Sequence, residues 1–245
     1  HHSIMNHYLS MEYLKLRHSH INWVVIATDV IAAGFTSIWL LPASLANNVC
    51  LATFQNNFVT IWLYIGLIVL AFEKARQEQN TGNFFNVRQS VIDIPNYYRA
   101  LVLNLYWLFL KGLALYEVLS LAFLTFTYGL SNLNLYQGVL LPMLFIALFA
   151  LWLLPVIYLL IINLPNIIAV LAVLSLLISG LSTLPTPWSI ATYNIAHLAG
   201  VNPNGMAIDY YSNNLIGPAI ITTFVMVAVL ESILYLYTRR QTHDK

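Results

Sequence analysis

Apolar residues crowd into six stretches, near 22–45, 57–72, 101–130, 135–162, 167–184 and 215–237, and polar residues collect between them. A bilayer core of about 30 Å needs about 20 apolar residues in a helix, so each stretch is read as a span, the second being the shortest. Between the fourth and fifth lie only Asn163, Leu164, Pro165 and Asn166, where proline and two asparagines predict a tight turn between antiparallel helices. Ahead of the first stretch, Met5, Leu9, Tyr13 and Leu16 recur on one helical face while Asn6, Ser10 and Arg17 fall away from it. Met11 and Leu14 blur that pattern, which predicts a short amphipathic helix lying on the membrane surface. The fold class expected is all-α integral membrane, with six transmembrane helices and an N-terminal interfacial helix. Residues 1–4 read as the remnant of a purification tag and 5–245 as a single transmembrane domain. Because Glu12, Lys15 and Arg17 precede a run of full spanning length, the first span is expected to be retained and not cleaved as a signal.

Composition sharpens this pattern. Of 245 residues 60% are apolar and 8% charged, with a mean hydropathy of +0.74, against about 25% charged in soluble domains. Residues 118–208 contain no Asp, Glu, Lys or Arg, so no water-facing surface can be made from them. A net charge of +1 excludes nucleic-acid binding through a broad basic surface. The lone Cys50 excludes an intramolecular disulfide framework and a multi-cysteine metal site.

Charge placement predicts orientation. With both ends inside, the inner segments hold Lys15, Arg17, Lys74, Arg76, Arg88, Arg99, Arg239, Arg240 and Lys245, leaving only Lys111 of the basic residues elsewhere. The outer segments 46–56, 131–134 and 185–214 hold no basic residue and a single fixed charge, Asp209. The positive-inside bias therefore predicts cytoplasmic N- and C-termini.

Two segments outside the spans carry further information. The inner segment 73–100 is the one sizeable polar surface, and in it Phe84 and Phe85 follow Thr81 and Gly82 in a setting that leaves them wet. They either dock into a partner's groove or lie in the headgroup layer. The outer segment 185–214 contains a tight turn at Pro203-Asn204-Gly205, with Trp188, Tyr193, Tyr210 and Tyr211 suited to an aromatic belt. It reads as an ordered interfacial cap.

Ionisable residues at membrane depth cost at least about 2.5 kcal/mol each, so they are paired, shielded or functional. The candidates are Asp29, Lys111, Glu117 and Glu231. Along straight helices Asp29 lies about 10 Å inside span one, Glu231 about 12 Å from Arg239, and Lys111 about 18 Å beyond Arg99. A buried cluster of Lys111 with Asp29 or Glu231 is therefore geometrically open. In the simpler alternative, Lys111 snorkels to the inner interface, Pro95 to Leu110 forms a separate interfacial helix, and Gly112 to Leu130 spans. Structural pairing outweighs a transport role, because a proton relay needs a chain of such groups.

The sequence contains no Walker motif, no Gly-x-Ser-x-Gly and no His-Glu-x-x-His, so the chain is read as non-catalytic. His197 is the one histidine away from the terminal segments, which leaves a two-histidine haem or copper site without ligands. A hydrogen-bonded interfacial role suits His197 better than metal binding.

Three features together resemble the permease subunit of a type-2 ABC exporter, in particular the lantibiotic (bacteriocin) self-immunity transporter family. Glu12-Tyr-Leu-Lys15-Leu-Arg17 is similar to the helix that opens these permeases. The segment with Glu78, Thr81, Gly82, Phe84 and Pro95 is similar to the region that contacts the ATPase. His197 with Asn202-Pro-Asn204-Gly205 is similar to a stretch before the last span of immunity permeases. The helix after Pro95 departs from the family in lacking a lysine-rich face.

The resemblance implies a half-transporter in a bacterial plasma membrane. It would pair with itself or a second permease and with two copies of an ATP-binding subunit, which carries ATP and Mg; this chain binds no cofactor or metal. Coupling would run through Glu12, Lys15, Arg17, Glu78, Phe84, Phe85 and Arg88. The substrate would be a cationic amphipathic peptide taken from the bilayer and met outside by a cap of Trp188, His197, Asn202, Asn204 and Asp209. The competing expectations are a type-2 exporter of a drug, lipid-linked glycan or haem, and a secondary transporter or regulatory membrane protein without an ATPase. Halves 22–130 and 135–237 show no internal repeat of the kind frequent in secondary transporters.

Overall fold

The computed structural model describes residues 2–40, 47–80, 93–127, 129, 135–181, 188–189, 191 and 216–243. Among them the ordered elements are helical: α1 (His2–Arg17), α2 (Ile21–Leu40), α3 (Asn47–Asn57), α4 (Leu63–Asn80), α5 (Ile94–Thr127), α6 (Leu141–Asn163), α7 (Asn166–Gly180) and α8 (Ile216–His243). Among the described residues five helices are long and apolar enough to cross a membrane: Ile21–Leu40, Cys50–Asn80, Ile94–Thr127, Gly138–Asn163 and Ile216–Tyr237. This is the build of a multi-pass membrane protein. The remaining expected span, 167–184, is represented by α7, whose 15 residues reach about 22 Å.

Helices outrun their apolar stretches. A π-helical turn, Phe58–Trp62, closed by the Leu63 N–H donating to the Phe58 carbonyl, joins α3 to α4 without a break. The expected span 57–72 is thus the middle of a longer rod, because hydropathy marks where lipid contact ends and not where backbone hydrogen bonding does. Likewise α5 is one helix of 34 residues, about 51 Å, so there is no separate helix over 95–110. Its start is set by Asp93, whose Oδ1 accepts from the Asn96 N–H at 3.3 Å and whose Oδ2 accepts from the Asn96 side-chain amide at 2.6 Å. Pro95 fits there because the first turn needs no donor from it.

The α6 and α7 helices form the expected hairpin, since Leu164 is extended at φ −113° and ψ 154° before Pro165, as a residue preceding proline prefers. In the bundle α5 packs against both α1 and α2, and α6 packs on both α4 and α8. Tyr64, Tyr97, Tyr116, Tyr158, Phe54 and Phe145 are fully buried. Rings interlock at the centre, Phe58 lying 4.6 Å from Tyr116 and Phe54 5.7 Å from Phe123, centroid to centroid. With lipid outside, such packing holds spans together more than solvent exclusion does. The outer faces are apolar, with Trp23 and Ile38 of α2, Ile167 of α7 and Phe224 of α8 all exposed.

The buried face of α1 differs from the expected one. Tyr8, Glu12 and Leu16 turn inward with Met5 and Leu9 against the same core, while Tyr13 is exposed. An apolar-only reading of the helix misses a buried glutamate, which is tolerable only because it is paired.

Candidate functional site

Four charges meet where α1 lies against α4 and α5. Glu12 and Lys15 are three apart on α1, and Lys74 and Glu78 are four apart on α4, so each pair shares a helix face. Lys74 Nζ contacts Glu12 Oε2 at 2.5 Å and Glu78 Oε1 at 2.9 Å, and donates to Gln77 Oε1 at 3.0 Å. Lys15 Nζ contacts Glu12 Oε1 at 2.8 Å and Glu78 Oε1 at 3.3 Å, and donates to the Tyr97 hydroxyl at 3.4 Å. Tyr97 in turn donates to Glu78 Oε2 at 2.9 Å. Each ammonium thus engages three acceptors, the number of its N–H groups, and every oxygen of the two carboxylates has a donor. Gln77 Nε2 adds a bond to the Lys15 carbonyl at 3.2 Å.

Glu12, Lys74 and Glu78 are buried and Lys15 is half-buried. Such a group is stable only because two positive and two negative charges cancel inside it. Burial works against the charge of Lys15, but Glu12 and Glu78 outweigh it and hold the ammonium above the usual lysine range. A raised folded-state pKa stabilises at every pH below the unfolded value of lysine, and the contribution is lost as pH rises through the folded value. The contribution of Lys15 is therefore expected to persist across neutral pH and to be lost in alkali, which an unfolding series against pH would read. The arrangement ties α1 to α4 by ion pairs and to α5 through Tyr97.

No protein-family model matches the chain, and no curated protein or solved structure matches it.

The expected coupling residues divide. Glu12, Lys15 and Glu78 come together in the lock and face inward, Arg17 is exposed, and Phe84, Phe85 and Arg88 lie outside the described residues. Lys74, Gln77 and Tyr97 were not among the expected site residues. The signal for Lys74 was its four-residue spacing to Glu78 at the end of an apolar run.

Among the described residues no ion pair joins any two of Asp29, Lys111, Glu117 and Glu231. Glu231 pairs with Arg99, whose Nε donates to its two oxygens at 3.0 and 2.9 Å, while Nη1 reaches Asn96 Oδ1 at 2.9 Å. Glu117 accepts from Gln55 Nε2. Lys111 lies over the Trp107 ring, 5.6 Å from its centroid. Asp29 faces Gly112 beside a cavity of about 20 Å³ that is also lined by Thr28, Phe58 and Trp62, room for one water. Helical rotation explains the separation: successive residues lie about 100° apart, so with Gly112 against α2, Lys111 is carried outward and Glu117 toward α3. Tyr116, one turn after Gly112, stays at the centre and donates to the Phe54 carbonyl at 2.7 Å.

Glu231 lies in an apolar helix of spanning length, so Glu231→Gln, which leaves Arg99 without its counter-charge, is expected to lower the unfolding midpoint measurably. Among the described residues no group of three His, Cys, Asp or Glu could hold a metal ion. Of the outer cap, Trp188 is partly exposed with its carbonyl close to Gly180, and His197, Asn202, Asn204 and Asp209 lie outside the described residues.

Proposed function

We propose that the chain is the permease subunit of an ATP-driven exporter that removes a cationic amphipathic peptide, a bacteriocin or lantibiotic, from the plasma membrane of the bacterium that makes it. In this reading the bundle has six spans, with the hairpin helix α7 in the fifth, and both termini are cytoplasmic. The observation that supports the reading best is the lock. A helix outside the spans is joined by ion pairs to α4 and, through Lys15 and Tyr97, by a hydrogen bond to α5, so a push on α1 would move both helices with it. ATP and Mg belong to two copies of a separate subunit acting on α1 and the segment after α4. A second permease completes the pathway. The charge-free run 118–208 supplies an apolar outer half suited to a lipid-soluble peptide.

Co-expression with its cognate ATPase is expected to yield a stable complex in detergent, and cells carrying both to survive more of one peptide. Purification of the chain without any ATP-hydrolysing partner, together with unchanged peptide sensitivity, would overturn the proposal. A second reading, an ion-coupled transporter, is favoured by Asp29 and Glu117, two carboxyls buried at membrane depth with no ion-pair partner among the described residues. Uptake into proteoliposomes driven by a proton gradient without ATP would select it.

A further inference from the structure

Where α1 hands the chain to α2, a cleft of about 50 Å³ opens against α5. Its polar lining is Tyr13 and Arg17 from α1, Asn22 from α2, and Asn104, Trp107 and Lys111 from α5. Both cations are exposed, and among the described residues no ion pair reaches either of them. Glu12 and Glu78 are committed to Lys15 and Lys74, and Asp29, which faces Gly112, makes no ion pair with either cation. Two unopposed positive charges thus flank one concavity, beside an exposed indole.

The level of the cleft is also defined. Immediately after Asn22 begins the exposed apolar face of α2, with Trp23 and Ile26, while on the other side lie the charges of α1 and of the lock. The cleft therefore sits at the border between lipid-facing and polar surface, where headgroups lie, and Trp107 and Trp23 are the residue type that settles there. Basic pockets between helices at this depth suit phosphate headgroups.

We propose that the cleft binds the phosphate of an acidic phospholipid, with Arg17 and Lys111 as its counter-charges and Trp107 against the glycerol and upper acyl region. The arginine fork contacts the two non-bridging phosphate oxygens and the lysine adds a mobile point charge beside them. A bound lipid would bridge α1, α2 and α5 on the side of α1 opposite the lock. The proposal rests on the apolar helices crossing a bilayer and not on the exporter assignment, so failure to find an ATPase partner leaves it intact.

The test uses the whole chain in nanodiscs of phosphatidylcholine doped with phosphatidylglycerol, counting lipids retained by native mass spectrometry. Wild type is expected to retain phosphatidylglycerol selectively. Selectivity should fall about fivefold for R17Q or K111Q and about thirtyfold for the double variant. The conservative R17K and K111R should keep most of it. Because both side chains are exposed, unfolding midpoints should stay at the wild-type value. A readout on unmodified charges guards against misfolding: brominated phosphatidylglycerol should quench tryptophan fluorescence more than brominated phosphatidylcholine, and W107F should remove that excess. Equal retention of the two lipids by wild type, or equal selectivity in the double variant, would overturn the proposal. Displacement of phosphatidylglycerol by millimolar glycerol phosphate would also overturn it, by assigning the cleft to a soluble phosphate ester.

Discussion

Replacing Lys74 with methionine is expected to lower the stability of the folded protein by about 3–5 kcal/mol. The magnitude follows from what is left behind. Lys74 is fully buried and touches both Glu12 and Glu78, whose side chains are 0% and 1% exposed. Without it two buried carboxylates share Lys15 alone, and the site carries an uncompensated negative charge away from water. Lys15→Gln should cost less, because 28% of that side chain is exposed and water already takes part in its solvation. The decisive comparison is the double variant K74M/E12Q. It removes one charge of each sign and leaves Lys15 with Glu78, so it should be more stable than the two single losses added together, by about 0.5–3 kcal/mol. Thermal unfolding midpoints in one detergent read all four proteins. Strict additivity would mean that Lys74 and Glu12 are not partners. In the proposed exporter the double variant has a further use: folded, but with α1 held by fewer pairs, it should hydrolyse ATP in complex with its partner while exporting less peptide.

Much of the architecture was legible because membrane insertion makes hydropathy nearly sufficient. Five of the six apolar stretches coincide with helices of spanning length, and Pro165 between two asparagines marked the α6–α7 turn. What hydropathy cannot see is how far a helix continues beyond the lipid. The extension of α5 back to Ile94 depends on capping by Asp93, and the continuity of Asn47–Asn80 depends on a π-turn that adds one residue without breaking the rod. The site was legible in composition but not in pairing. Glu12, Lys15 and Glu78 were recognisable as charges at the ends of apolar segments, yet their mutual approach is a property of how α1 packs against α4 and α5. The partners of the intramembrane charges were hidden for a related reason. Axial distances placed Lys111, Asp29 and Glu231 at compatible heights, but height says nothing of azimuth, and a single residue's rotation sends Lys111 to the outside while Gly112 takes the place against α2.

That position of Gly112 carries the second large effect. Gly112→Ala is expected to destabilise the bundle by about 1–3 kcal/mol, whereas Gly34→Ala, a substitution in another span, should be neutral or stabilising by up to about 1 kcal/mol. Intrinsic helix propensity favours alanine at both sites equally, so the difference isolates packing. A Cβ on Gly112 would fall within clashing distance of Asp29 Oδ2 and 2.7 Å from Val25 Cγ1, while one on Gly34 meets nothing within 4 Å. Val25 is β-branched and has little rotamer freedom in a helix, so it cannot swing aside. Asp29 could move only by giving up the position it holds beside the small cavity. The remaining response is for α2 and α5 to separate, which weakens one of the main helix contacts in the fold. Close approach through a small residue is a common way for membrane helices to gain contact where water gives no driving force. Adding Val25→Ala to Gly112→Ala should recover part of the loss, and adding Asp29→Ala should recover more. If Gly112→Ala and Gly34→Ala unfold at the same midpoint, α2 and α5 do not meet at Gly112, and the outward rotation of Lys111 would lose its structural basis.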